Sequence, residues 1–371
     1  MIKLEYNDNL AQSHAEIISQ KLEEYQKYQD TFSNINEEYS KILNFIKNNL
    51  KYILIAKPDK LRKLIKIFIK KIENINSLKK DILLEELDLL NIKELKIICK
   101  IFDIRKHSQK NKKALVSLIK RKRINIPNHI IEPNLKDIII KIHTKKIIND
   151  YLKCFEKFYD SEWDKIQGYS RYDFVKLFKL KSCPYCNRNY IFTVDTTTDK
   201  LRPEIDHFYP KSKYPFLALS FYNLIPSCQV CNHTKRNNDT KFLRTPYEIN
   251  NNDFQFSFKP IKINENEINL SLTEEFQEFD TLFKLNKLYK QHDDIVNELQ
   301  VKFFHEHTKK HFELLSKTLN NQLKFNIDEV YNVITCTYYH EKDYHKKPLS
   351  KLVGDIVKNE FNNILNKPNK T

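Results

Sequence analysis

Two cysteine pairs carry the clearest chemistry in this chain: Cys183-Pro184-Tyr185-Cys186 and Cys228-Gln229-Val230-Cys231. A two-residue spacing lets both thiolates of a pair grip one ion, and two pairs complete a tetrahedral four-sulfur site for zinc. Four thiolates leave no open coordination position, so such a zinc is structural. Its binding free energy becomes folding free energy for a segment with little core of its own. Between the pairs run Glu204-Ile205-Asp206-His207-Phe208-Tyr209-Pro210 and Asn223-Leu224-Ile225-Pro226, and the second pair leads straight into Asn232, His233, Thr234 and Lys235. The other cysteines, Cys99, Cys154 and Cys336, stand alone in helical patterns and read as buried core residues.

Taken in order, CPYC, DHFYP and NLIPSCQVCNHTK resemble the HNH nuclease family, over the segment from about Lys181 to Arg244. The resemblance implies a ββα-metal core in a treble-clef zinc scaffold, cutting phosphodiester bonds with one catalytic Mg²⁺ or Mn²⁺ besides the structural zinc. On that resemblance His207 is the general base, because a neutral imidazole is available near pH 7. Asp206, its neighbour at a strand end, points to the other side and offers a hard oxygen to the cation. Asn223 lies in the loop and orients His207. Asn232 matches the third position of the HNH signature, with an amide in place of histidine. An amide oxygen suits Mg²⁺ or Mn²⁺ better than zinc, and His233 is the rival ligand at that position. Lys235, Arg236, Lys211 and Arg202 are candidate phosphate contacts, each equally readable as a surface charge. The stretches Pro210–Pro215 and Pro348–Leu352 also look like segments of bacterial HNH proteins.

The elements that must position these residues are mainly helical. Only two glycines, Gly168 and Gly354, are present, which disfavours many tight hairpins. Apolar residues at helical spacing (Ile17, Ile18, Leu22, Tyr25, Tyr28) predict amphipathic helices over 11–50, and Pro58-Asp59 suits the first turn of another through Leu61, Leu64, Ile65 and Phe68. Residues 89–123 resemble a SAP-type helix–loop–helix, with Lys110-Asn111 near the place of its usual loop glycine. Another helix is expected from Asn134 to Phe158. Helical periodicity stops at Ser182. Alternation in Phe254–Phe258 and Ile268–Leu272 predicts a two-stranded hairpin, and helices return from about Thr281. The expected organisation is a helical region at 1–177, an α+β nuclease module at 178–250, and a hairpin with helices at 251–371.

The net charge of +16 is concentrated: residues 51–130 hold 22 Lys and Arg against 8 Asp and Glu, an excess of 14. Such a field attracts a polyanion such as DNA, and RNA fits the same chemistry. The charged start Met1–Glu5 has no apolar run of signal-peptide type behind it, and no segment approaches the roughly 20 apolar residues of a membrane span. The expected location is the cytoplasm, with no membrane contact. There disulfides are rare and paired cysteines bind metal. HNH nucleases with large helical extensions resemble bacterial anti-phage effectors, some paired with a controlling ATPase. Two other readings fit the residues: a zinc-braced DNA-binding adaptor without catalysis, and an RNA-cleaving toxin.

Overall fold

In the computed structural model the described residues are 1–26, 37–77, 92, 95–96, 99, 110–121, 148–262, 265–304 and 306–365. They are mainly helical, with three separate two-stranded sheets. The chain divides into two compact units. One comprises Met1–Ala11, Ser161–Lys213 and Phe221–Thr371; the other comprises Gln12–Asp160 and Tyr214–Ser220. The units cut across the sequence-based boundaries at 177/178 and 250/251. Among the described residues, no helix is long and apolar enough to cross a membrane.

The second unit is built from α1 (Asp8–Gln26, from Gln12 onward), α2 (Glu37–Asn48), α3 (Leu50–Ile55), α4 (Pro58–Ser77), α5 (Lys112–Arg121) and a helix over 148–157, α6. Ala15, Ile18 and Leu22 form the buried stripe of α1, and Leu61, Leu64, Ile65 and Phe68 that of α4. These are the spacings that put side chains on one helix face. Phe68 packs on Phe216, ring centroids 4.5 Å apart. The exposed side of α4 carries Lys63, Lys66 and Lys70. In α5 the Asn111 side chain accepts from Ala114 N at 2.9 Å, an N-terminal cap. Most of the first helix and the loop of the SAP-like segment, and the start of the expected helix at 134–147, lie outside the described residues.

The first unit holds α7 (Arg171–Lys176), hairpins β1–β2 (Val194–Asp195, Lys200–Leu201) and β3–β4 (Glu204–His207, Leu224–Ser227), α8 (Gln229–Lys235) and the hairpin β5–β6 (Phe254–Lys262, Glu265–Leu272). Short helices follow: α9 (Gln277–Phe283), α10 (Leu285–Tyr289), α11 (Asp293–Leu299), α12 (Glu306–Lys317) and α13 (Ile327–Thr335), then α14 (Ser350–Leu365). The β5–β6 register pairs Phe254 with Leu272, Phe256 with Leu270 and Phe258 with Ile268, which places the alternating apolar residues on one face. That face meets α14, where Asp355 accepts from Phe256 N at 3.0 Å and pairs with Lys351 Nζ at 2.7 Å. Cys99 and Cys154 are buried as expected, whereas Cys336 is exposed. It ends α13 in left-handed backbone (φ 54), which turns it out of the helical pattern that suggested a core position.

Within the second unit His14 is fully buried on α1, and its Nε2 lies 2.7 Å from the Leu219 carbonyl oxygen. Burial pushes its pKa down from 6.5 to about 4. The unfolded chain therefore binds a proton below pH 6.5 that the folded chain refuses until about pH 4. His14 thus contributes stability that is present above pH 6.5 and lost as pH falls towards 4, roughly 3 kcal/mol in all. Denaturant unfolding of wild type and His14→Gln at pH 7 and pH 4.5 checks this. The wild type should lose stability that the variant, with no titrating group, does not. Equal losses would contradict the assignment.

Candidate active site and metal cluster

The first cysteine pair sits in a tight knuckle. Ser182 bridges Tyr190, Cys183 N donates to Asn189 O at 2.9 Å, and Asn187 N donates to Cys183 O at 2.7 Å. Asn187 takes left-handed backbone (φ 49) to close the turn, a conformation that asparagine tolerates better than most residues. The second pair opens α8, with Cys228 as its N-cap and Cys231 in its first turn. The four Sγ atoms lie within 4.8 Å of one another, all on buried residues, with Cys186 and Cys228 3.9 Å apart. A tetrahedral zinc with bonds of about 2.3 Å needs sulfurs about 3.8 Å apart. The cluster fits that ion. Three N–H groups aim at the sulfurs: Cys228 N at Cys183, Arg188 N at Cys186 and Asn189 Nδ2 at Cys228, each at 3.3 Å. Such donors favour thiolates.

The knuckle also anchors the segment that leads into α14. The Asn187 side chain donates to Ser182 Oγ (2.9 Å) and reaches the carbonyls of Tyr344 (3.1 Å) and Lys347 (3.2 Å). Its Oδ1 accepts from Lys351 N at 3.0 Å, and its backbone O accepts from Leu349 N at 2.6 Å. The Pro348–Leu352 stretch is thereby fastened to the cysteine knuckle by one asparagine.

Strand β3 pairs antiparallel with β4, Asp206 opposite Ile225 and His207 opposite Leu224. Side chains alternate along a strand, so Glu204 and Asp206 share one face and His207 takes the other. Helix α8 covers the first face. Asn232 Nδ2 donates to Glu204 Oε2 in a short hydrogen bond, and His233 Nε2 lies 3.4 Å from Glu204 Oε1. Lys235, fully buried, places Nζ 3.0 Å from Asp206 Oδ1 and 2.6 Å from the His207 carbonyl oxygen. From the knuckle, Tyr185 donates its hydroxyl to Asp206 Oδ2 at 2.6 Å. Burial and the neighbouring carboxylate push the Tyr185 phenol well above its usual range, so it stays a donor. Oxygen donors for a hard cation are thus present on the α8 side of β3: Glu204, Asp206 and the Asn232 amide, which can turn to offer Oδ1.

His207 is buried, at 8% exposure. Asn223 is fully buried and grips the peptide of Tyr209, accepting from its N at 2.7 Å and donating to its O at 3.1 Å. It therefore fixes the loop that leaves His207. Of the four cations singled out as phosphate contacts, Lys235 is placed inside the module with its ammonium spent on Asp206 and His207. Arg236 is exposed and hydrogen-bonds the His233 carbonyl at 3.2 Å, Lys211 is half-buried, and Arg202 lies over the Tyr172 ring. Sequence reasoning missed Glu204 and Tyr185. The i, i+2 spacing of Glu204 and Asp206 was the available signal for the first; nothing in the sequence marks the second beyond its place between two cysteines.

Residues 183–238 match the family model for HNH endonuclease. The chain is also similar to the Septu protein PtuB of Bacillus thuringiensis, 32% identical over 103 residues. That match covers 26% of this chain and 35% of the relative, so it spans about a third of the relative's length. No solved structure matches. The resemblance read from the cysteine pairs and the DHFYP segment is therefore borne out over the module that contains the cluster.

Two outcomes test this geometry. Purified protein should carry one zinc per chain by elemental analysis, and Cys228→Ser should lose it and melt at lower temperature; full occupancy in that variant would contradict the cluster. Lys235→Met strands a buried carboxylate and should cost about 3–5 kcal/mol. The double variant with Asp206→Asn should recover much of this in denaturant unfolding, whereas additive losses would mean the two groups are not a pair.

Proposed function

We propose that the chain is a metal-dependent HNH endonuclease that cuts DNA, built on a treble-clef ββα-metal module. The observation that supports this best is the hairpin–helix unit β3–β4–α8 folded around the four-cysteine cluster, inside the segment matched by the HNH family. It sets His207 on one face of β3 and carboxylates with Asn232 on the other.

In this reading the imidazole of His207 takes a proton from a water molecule as its oxygen attacks phosphorus, and the bond to the leaving oxygen breaks. Asn223 holds the Tyr209 peptide and so the exit of the strand; Lys235 holds the His207 carbonyl. Both keep the base at a fixed place, which is the part of catalysis that positioning supplies. A divalent cation, Mg²⁺ or Mn²⁺, belongs on the α8 side of β3 with Asn232 and the β3 carboxylates Asp206 and Glu204; when bound it offsets charge on the phosphate and the leaving oxygen. Arg236, Lys211 and Arg202 are the candidate phosphate contacts beside this module.

The match to a Septu protein supports a role in anti-phage defence; a controlling ATPase partner and a cytoplasmic place of action belong to the same proposal. The test is plasmid cleavage by wild type and His207→Ala with Mg²⁺, Mn²⁺ or EDTA, RNA run beside DNA. Metal-dependent DNA cutting that falls at least a hundredfold in the variant is expected. Equal cutting by both proteins removes His207 from the chemistry. Cutting of RNA alone moves the substrate to RNA, and binding without cutting favours a DNA-binding adaptor.

A further inference from the structure

We propose that Phe242 is an aromatic contact to the DNA substrate, stacking its open face on a base close to the bond that is cut while Lys213 and Lys241 take flanking phosphates. The inference rests on the nuclease reading above and adds a substrate contact outside the β3–α8 site.

The loop that carries Phe242 is built to hold its ring in water. Helix α8 ends where Arg236 turns to left-handed backbone (φ 49), and Asn237-Asn238-Asp239 then supply residue types that favour a turn. The Asp239 side chain accepts from Lys241 N at 3.1 Å, and Leu243 N donates to Thr240 O at 2.9 Å. Thr240 is buried and gives its hydroxyl to the Phe208 carbonyl in a short hydrogen bond; Leu243 is buried as well. Both sides of Phe242 are thus anchored. Its own side chain is 79% exposed, more than any other large apolar side chain among the described residues. A scattered apolar residue on a surface is common. One held out on a pinned turn, bonded to the residue that follows His207, is placed to touch what His207 acts on.

The charge around the ring names the occupant. Across Lys211–Lys213 and Arg236–Arg244, five cations (Lys211, Lys213, Arg236, Lys241 and Arg244) stand against one acid, Asp239. Asp239 is shared between Lys213 and Lys241, each ammonium 3.7 Å from its Oδ2. One carboxylate therefore ties the two loops together and balances only one of the charges they bring. Lys241 Nζ also lies over one face of the Phe242 ring, 5.0 Å from its centre, and the other face is left to solvent. A second copy of this chain would set like charges against each other here, and an apolar peptide would offer the cations nothing. A DNA strand has both parts, bases with π faces and phosphates beside them. Aromatic side chains stack on bases with little regard to sequence, and phenylalanine is among the residues that wedge between base steps.

The experiment is a substitution series at Phe242 in the zinc-loaded full chain, read by plasmid cleavage and by tryptophan fluorescence. With its side chain in water, Phe242→Ala should keep its zinc and its circular dichroism. It is expected to lose about tenfold in kcat/KM, the size of one base–aromatic stack. Phe242→Trp should cut within a few-fold of wild type, and Phe242→Leu should fall with the alanine variant, because stacking needs a flat π face. Trp163, the one native tryptophan, is buried, so the indole added by Phe242→Trp reports on the loop. Mixed-sequence duplex DNA, added without Mg²⁺ or Mn²⁺, should quench that indole and leave wild-type emission unchanged. Wild-type cutting by Phe242→Ala, or DNA binding that leaves the indole unquenched, would overturn the base contact while the nuclease reading stands. Full rescue by leucine, or self-association of the wild type that Phe242→Ala abolishes, would overturn it in favour of an apolar docking site. If the wild type neither binds nor cuts DNA, the nuclease reading fails and this contact with it.

Discussion

Four sulfur atoms gathered within 4.8 Å are the constraint from which the rest of the first unit follows. They join two segments more than forty residues apart in sequence, the knuckle at Cys183–Cys186 and the first turn of α8. The strand that carries His207 lies between those segments. Its own hairpin has only four residues in each strand, too short to be stable alone. With the cysteines drawn to one centre, α8 is forced across the hairpin and its side chains reach Glu204, Asp206 and the His207 carbonyl. The knuckle contributes in a second way, because Tyr185 stands between its two cysteines and ends on Asp206.

The same knuckle extends its hold to the C-terminal region through Asn187. One side chain donates to the carbonyls of Tyr344 and Lys347 and accepts from the amide of Lys351. Helix α14 starts at that point, and its Asp355 in turn receives the edge of β5 through Phe256 N. The four-cysteine cluster, the strand that carries His207 and a distant hairpin are in this way parts of one hydrogen-bonded framework. Polar groups so buried hold a geometry only when their partners are all present, which makes the framework sensitive to loss of the cluster.

Much of this was legible in the sequence because cysteine spacing and strand alternation are local signals. The CPYC and CQVC pairs mark the cluster, and Phe254–Phe258 with Ile268–Leu272 mark the hairpin. Pro58-Asp59 marks the start of α4. What could not be read was the use to which each polar side chain is put. Lys235 looks like a surface cation in an Asn/Lys-rich stretch, but its position three residues past Asn232 turns it into the module and onto Asp206. Asn223, expected to orient His207, hydrogen-bonds both sides of the Tyr209 peptide, a partner that its place in the sequence does not mark. Cys336 follows a helical pattern yet ends its helix in left-handed backbone. Each of these depends on contacts between residues far apart in the chain, which periodicity does not encode.

The most direct measurement of the account is amide hydrogen exchange on the full chain with zinc bound and after its removal by chelation. If the cluster organises the site, stripping zinc should speed exchange at 182–191 and 228–235, and also at 204–207 and 345–353, which contain no cysteine. Protection that persists at 204–207 and 345–353 without zinc would contradict it, because those segments would then be held by packing that the cluster does not control.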